Sequence, residues 1–97
     1  MYRVRKRDGE LVDFNINKIS GAIKKAFEAT GTDYNDSVID FLSLKVTADF
    51  QDKIKDGAVT VEDVQDSVEA VLSRGGYEHV AKAYILYRRQ REKLRNM

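Results

Sequence analysis

The sequence predicts a mainly α protein: a four-helix bundle capped by a short two- or three-stranded antiparallel β-sheet. Three observations carry this expectation. Proline is absent and only six glycines punctuate the 97 residues, which favours long uninterrupted helices. Apolar residues recur at helical spacing in four successive segments. The N-terminal segment instead alternates with a period of two around an Asp-Gly pair.

Tyr2, Val4 and Lys6 alternate with Arg3 and Arg5, and extended character resumes at Leu11, Val12, Asp13 and Phe14, so the chain reads as a hairpin turning at Asp8-Gly9. From Asn15 or Asn17 the period changes. Ile16, Ile19, Ile23 and Phe27, flanked by Ala22 and Ala26, form the stripe of a first helix that Gly31 stops. Asn35 or Asp36 caps a second helix whose stripe is Val38, Ile39, Phe41, Leu42, Val46, Phe50 and Ile54, ending at Gly57. Residues 58–60 are available as a third strand. Thr60, followed by Glu62 and Asp63, opens a third helix with a capping hydroxyl and acids favoured by the dipole. Val61, Val64, Val68, Val71 and Leu72 are its apolar face. Gly75-Gly76 ends it, and a fourth helix carries Val80, Ala83, Tyr84 and Tyr87 into a basic C-terminal segment expected to fray.

Ninety-seven residues at 42% hydrophobic and 34% charged suit one globular domain, residues 1–97, with a single core. No cysteine is present, which removes disulfides, thiolate metal sites and a thiol nucleophile and points to the cytoplasm. No apolar run approaches a membrane span. The formal net charge of +1 hides an asymmetry, with bases crowding both ends and acids dominating the middle.

Catalytic chemistry is hard to assemble from these residues. His79 is the single histidine and stands at a helix start, where a capping or surface role is the ordinary one. Glu62, Asp63, Asp66 and Glu69 have spacings that serve a solvated helix face better than a metal site. Neither Gly-rich phosphate loop occurs. Anion chemistry, by contrast, is well supplied. Lys18 lies in the first turn of the first helix, where exposed amides already favour an anion. If the hairpin folds over that turn, Lys6, Arg7 and Lys18 converge in a set suited to a di- or triphosphate. Val4, Ile19 and Ile23 are placed to sandwich a flat purine, and Arg88 and Arg91, one turn apart, to close the site. The competing readings are bases that keep a hairpin edge soluble, and a basic face for nucleic acid, the latter weakened by interspersed acids and the near-zero net charge.

Three ordered motifs, "VRKRDGELVDFNINKISGAIKKAF", "VTVEDVQDSVEAVL" and "GYEHVAKAYILYRRQR", closely resemble the ATP-cone domain over nearly the whole chain. The texture looks most like the cone of anaerobic ribonucleoside-triphosphate reductase. The resemblance implies an N-terminal allosteric domain of a larger oxidoreductase, with catalysis elsewhere, binding ATP or dATP with Mg2+. ATP would leave the enzyme active, and dATP would favour an inactive homo-oligomeric arrangement. The alternative host is a nucleotide-responsive DNA-binding repressor of reductase genes, which would need a cysteine zinc ribbon before the cone. Carried over, the resemblance implies that Val4 meets the adenine edge and Ile19 packs on the base, while Lys6, Arg7, Lys18 and Arg91 hold phosphates and Asn15 and Gln65 lie near the nucleotide. Gln65 and Val12 depart from the histidine and acid of some reductase cones. Lys82 and Arg88 are candidates for a second nucleotide. Arg5, Ile23, Val61 and Val64 complete the candidate set, Arg5 as an outward edge charge.

Overall fold

Residues 6–10 reverse the chain through a three-residue loop. The Lys6 amide donates to the Glu10 carbonyl (2.8 Å), the Gly9 amide to the Lys6 carbonyl (2.9 Å) and the Glu10 amide to Asp8 Oδ1 (2.9 Å). Gly9, at φ 89°, adopts the left-handed conformation that closes such a loop without a Cβ penalty. In the computed structural model, which describes residues 2–95, the loop joins β1 (Arg3–Arg5) to antiparallel β2 (Leu11–Asp13), with Val4 opposite Val12. A two-residue Asp8-Gly9 turn would have kept Arg7 in the ladder. The longer loop lifts Arg7 out of it, so that its side chain is able to reach the helices.

The third strand, β3 (Ala58–Thr60), pairs with the other edge of β1, giving the order β2-β1-β3. It runs parallel to β1, with Val4 opposite Val59, so the expected antiparallel arrangement holds for the hairpin and not for the third strand. The cause is the connection. Between β2 and β3 the chain makes a helical hairpin, a crossover that brings β3 back alongside β1 in the same direction.

The helices start and stop where short-range chemistry dictates. Asn15 Oδ1 accepts from the Asn17 amide ahead of α1 (Ile16–Ala29), Asn35 Oδ1 from Val38 ahead of α2 (Asp36–Asp49), and Thr60 Oγ1 from Asp63 ahead of α3 (Val61–Arg74). α3 ends in a Schellman motif: the Tyr77 amide reaches the Leu72 carbonyl (2.9 Å) and the Gly76 amide reaches Ser73 (3.3 Å), with Gly76 at φ 85°. α4 (Glu78–Arg95) follows directly. The expected fraying concerns the final residues, and Asn96 and Met97 lie outside the described residues.

Each helix packs on the next and α4 closes on α1, so the four surround one core that includes Ile23, Phe27, Ile39, Val46, Leu72 and Val80. Aromatic clusters mark both ends. Phe50, fully buried, meets Tyr2 and Phe14 edge-on at 5.8 and 5.7 Å and fastens the sheet to the bundle. Phe27 meets Tyr34 and Tyr77 at the far end.

α2 departs from its expected course. It stops at Asp49 rather than continuing through Ile54, because Phe50 turns into the aromatic cluster and a short 3-10 turn, Gln51–Lys53, follows. Phe41, placed on the apolar stripe by spacing, is 57% exposed; the buried positions are Ile39, Leu42, Ser43 and Val46.

Asp49 accepts from Arg74 Nη2, tying the C-terminal ends of α2 and α3. The nearby Ser67 hydroxyl, although it meets no partner at strict hydrogen-bond geometry, and the Arg74 guanidinium hold the Asp49 carboxyl below its ordinary value, outweighing burial. A depressed folded pKa contributes stability above the unfolded value of 3.8 and loses it as pH falls through the folded value. Asp49→Asn is therefore expected to cost about 0.2–1 kcal/mol at neutral pH. Urea titrations should show the gap closing below roughly pH 4; a pH-independent gap would contradict an ionic origin.

Candidate functional site

Three helices each turn one stripe toward a common cleft of about 510 Å³, and the hairpin loop reaches over it. α1 contributes Lys18, Ala22 and Lys25, with Ile19 and Gly21 beside them; α3 contributes Val61, Val64, Gln65 and Val68; α4 contributes Tyr84, Tyr87, Arg88 and Arg91, with Glu92. The spacings i, i+3 or i+4, and i+7 are those of one helical face. The result is an apolar floor of Ile19, Ala22, Val61, Val64 and Val68 beneath five bases, Arg7, Lys18, Lys25, Arg88 and Arg91.

Carboxylates hold two of these bases. Arg7 Nε lies 3.1 Å from Glu62, and its Nη2 is 2.5 Å from Glu92 and 3.5 Å from the Gln65 carbonyl oxygen. Arg88 Nη1 donates to Asp66 (2.8 Å) and Glu69 (2.9 Å), while its Nε lies 3.7 Å from Glu92. Burial works against the Arg88 charge, but the hydrogen bonds to Asp66 and Glu69 prevail and raise its pKa. The Arg7 hydrogen bond lowers the Glu92 pKa against a small burial effect. Burial pushes the Tyr84 phenol up, so it stays a neutral wall. Lys18 and Arg91 form no ion pair among the described residues; Arg91 donates to the Tyr87 hydroxyl at 3.1 Å, and the Lys25 ammonium lies 5.9 Å from the Tyr87 ring centre.

Of the residues expected at the site, Arg7, Lys18, Ile19, Val61, Val64, Gln65, Arg88 and Arg91 gather at the cleft. The others stand elsewhere. Ile23 is fully buried in the core, so no ligand touches it without repacking. Val4 is the half-buried centre of the sheet, and Lys6 closes the hairpin through its backbone without lining the cleft. Asn15 spends its side-chain oxygen on the α1 cap. Arg5 borders a separate depression with Asp52, Lys53 and Asp63 beside β3; it is exposed, but β1 is paired on both sides as the central strand, so Arg5 is not the edge charge expected. Lys82 lines a different groove between α1 and α4, with His79 and Gln90, apart from Arg88.

Gly21, Ala22, Lys25, Val68, Tyr84, Tyr87 and Glu92 were not expected there. The i, i+4, i+7 series Lys18, Ala22, Lys25 was a signal for Lys25. The acids of α3, expected as a solvated face, are ion-pair partners: Glu62 for Arg7, Asp63 for Lys53, and Asp66 and Glu69 for Arg88. Among the described residues no group of three or more His, Cys, Asp or Glu is placed to hold a metal ion, and no helix is long and apolar enough to cross a membrane.

A family model described as ATP cone domain matches residues 2–93. The chain belongs to the ATP cone family. This cone is 39% identical over 93 residues to a vitamin B12-dependent ribonucleoside-diphosphate reductase of Mycobacterium tuberculosis, covering 96% of the chain and 13% of that protein. It is 40% identical over 97 residues to the ribonucleoside-diphosphate reductase subunit alpha of Chlamydia pneumoniae, covering 93% and 9% respectively. With the anaerobic ribonucleoside-triphosphate reductase of Salmonella typhimurium it shares 36% identity over 92 residues, covering 92% and 12%. The cone thus spans only a small fraction, 9% to 13%, of the length of these relatives.

Gly21 lends bare backbone to the same cleft. It faces the cleft from inside α1, and a Cβ there would meet nothing within 4 Å. Helix propensity alone should make Gly21→Ala more stable by up to about 1 kcal/mol, raising the thermal midpoint by roughly 4–8 °C. The added methyl would protrude into the cleft, so binding of any molecule seated beside α1 there is expected to weaken. Calorimetry run as a thermal scan and as a titration checks both halves.

Proposed function

We propose that the cleft binds an adenine nucleotide and that the chain is the allosteric domain controlling the overall activity of a ribonucleotide reductase. The observation that carries the reading is the junction of an apolar floor with five bases in one cleft of about 510 Å³. That volume lies within the range of small-molecule sites. A purine suits the floor of Ile19, Ala22 and the α3 valines; phosphates suit Arg7, Lys18, Arg88 and Arg91, with Mg2+ offsetting the remaining charge.

In this reading ATP keeps the host active, and dATP, as accumulated product, favours an inactive oligomer. The host supplies deoxyribonucleotides for DNA synthesis in the cytoplasm. A ligand shifts such an equilibrium only through its differential affinity for the two states, so the missing 2′-hydroxyl must alter helix packing or an interface. The anaerobic triphosphate reductase is the proposed host class, supported by the similarity to the Salmonella and Haemophilus influenzae anaerobic enzymes. The B12-dependent and subunit alpha relatives are more similar, at 39% and 40% identity against 36% and 33%, so the remainder of the host chain decides this point.

Titration calorimetry with ATP, dATP and GTP in the presence of Mg2+ tests the reading. Heat is expected from ATP and dATP and much less from GTP; silence with both adenine nucleotides would end it. Light scattering on the host with ATP and then dATP tests the oligomer change, and equal masses would remove that part.

A further inference from the structure

The cleft is not simply an arginine-rich site awaiting an anion, because it already contains one. Glu92 is the single carboxylate among its lining residues. Its Oε1 lies 2.5 Å from Arg7 Nη2 and 3.7 Å from Arg88 Nε, so one oxygen bridges the hairpin loop and α4. Glu62, Asp66 and Glu69 approach the same two guanidiniums but do not line the cleft. They orient the arginines, whereas Glu92 occupies the space between them.

We propose that Glu92 is a built-in competitor for the phosphates of the bound nucleotide, its carboxylate taking the place between Arg7 and Arg88 that a phosphate group must claim. This rests on the nucleotide reading of the cleft and adds to it a determinant of affinity and of charge selectivity. A ligand with few phosphates gains too little from the two arginines to displace the resident carboxylate. A triphosphate offers more negative charge and more acceptor oxygens, and so wins the exchange. Once displaced, Glu92 releases the contact that straps the hairpin loop to the last turns of α4. Occupancy of the cleft is thereby registered at the C-terminal end of the domain.

The test is titration calorimetry on the 97-residue chain and its Glu92→Gln and Glu92→Asp variants, with ATP, adenosine and inorganic tripolyphosphate. Glu92→Gln keeps the shape and removes the charge. It is expected to tighten ATP and tripolyphosphate by roughly three- to tenfold, the scale of two partly exposed ion pairs released, and to leave adenosine unchanged. Glu92→Asp, which keeps the charge, should bind near the native affinity and separates loss of charge from altered packing. Equal or weaker anion binding by Glu92→Gln would overturn the proposal, as would a gain that extends to adenosine. Tripolyphosphate gains with no heat from ATP in any variant would sustain Glu92 as a competitor and sink the adenine-nucleotide reading. Native binding of ATP without a gain in Glu92→Gln would do the reverse. No anion binding to any variant would end both.

Discussion

Replacing Arg7 and Lys18 together by alanine is expected to weaken ATP binding by a factor of about 100 or more. In the proposed reading each would make a charge-assisted contact to a phosphate, worth roughly 1.5–3 kcal/mol, and about 1.4 kcal/mol corresponds to tenfold. The two are not equivalent. Arg7 is already held by Glu62 and Glu92, so its gain on meeting phosphate is the difference between two sets of ion pairs. Lys18 has no such partner among the described residues and stands in the first turn of α1, where the positive end of the helix dipole adds to its attraction for an anion, although the Asn17 and Lys18 amides are already bonded to Asn15. The single Lys18→Ala change should therefore cost at least as much as Arg7→Ala. Arg5→Ala, two residues away but beside β3, is the control and should bind within about twofold of the native chain. Titration calorimetry on the four proteins decides the matter: equal losses in Arg5→Ala and Arg7→Ala would mean a diffuse basic surface rather than a cleft.

The largest stability effect is expected from Phe50→Ala, which should lose roughly 3–5 kcal/mol. Phe50 is fully buried, and its ring is the meeting point of Tyr2 from the N-terminal segment, Phe14 from the α1 entry and the end of α2. Domains of this size are stable by only about 5–15 kcal/mol, so the loss is a large part of the whole. The thermal midpoint should fall by some 4–8 °C per kcal/mol. Because Phe50 fastens the sheet to the bundle, the hairpin loop carrying Arg7 loses its footing as well, and anion binding should weaken even where the helices persist. Urea denaturation gives the first effect and a tripolyphosphate titration the second. An unchanged midpoint would show that the three rings contribute little beyond contact.

Much of this architecture was legible because local rules and tertiary packing agree. Ile19, Ile23 and Phe27 lie on one helical face, and that face is buried; Thr60 reads as a cap, and its hydroxyl accepts from Asp63. Arg7, Lys18, Arg88 and Arg91 were identified by charge and spacing and do line one cleft. The misplacements arise where the deciding partner is distant in sequence. Ile54 continues the period of α2, but the Tyr2 and Phe14 rings draw Phe50 out of the helix before it. Lys6 and Arg7 are adjacent and both basic, and only the loop length separates ladder from loop. Glu92 reads as one acid in a basic tail; its position between Arg7 and Arg88 depends on the fold bringing together Arg7 and Glu92 across a sequence separation of 85.

The parallel pairing of β3 with β1 has a consequence for the order in which the molecule assembles. The β1–β2 hairpin is local and closes on a microsecond scale by itself. Its third strand arrives only after the two helices between them have formed and brought residues 58–60 back to the starting strand. The sheet that carries the Arg7 loop is therefore completed late. The Arg3 amide, bonded to the Gly57 carbonyl at 2.8 Å, ties the first strand to chain more than fifty residues away, so its hydrogen should exchange only when the bundle itself opens. A nascent chain that has emerged only through α2 carries a hairpin and two helices but no α3 or α4 wall, and has nothing yet with which to enclose an anion.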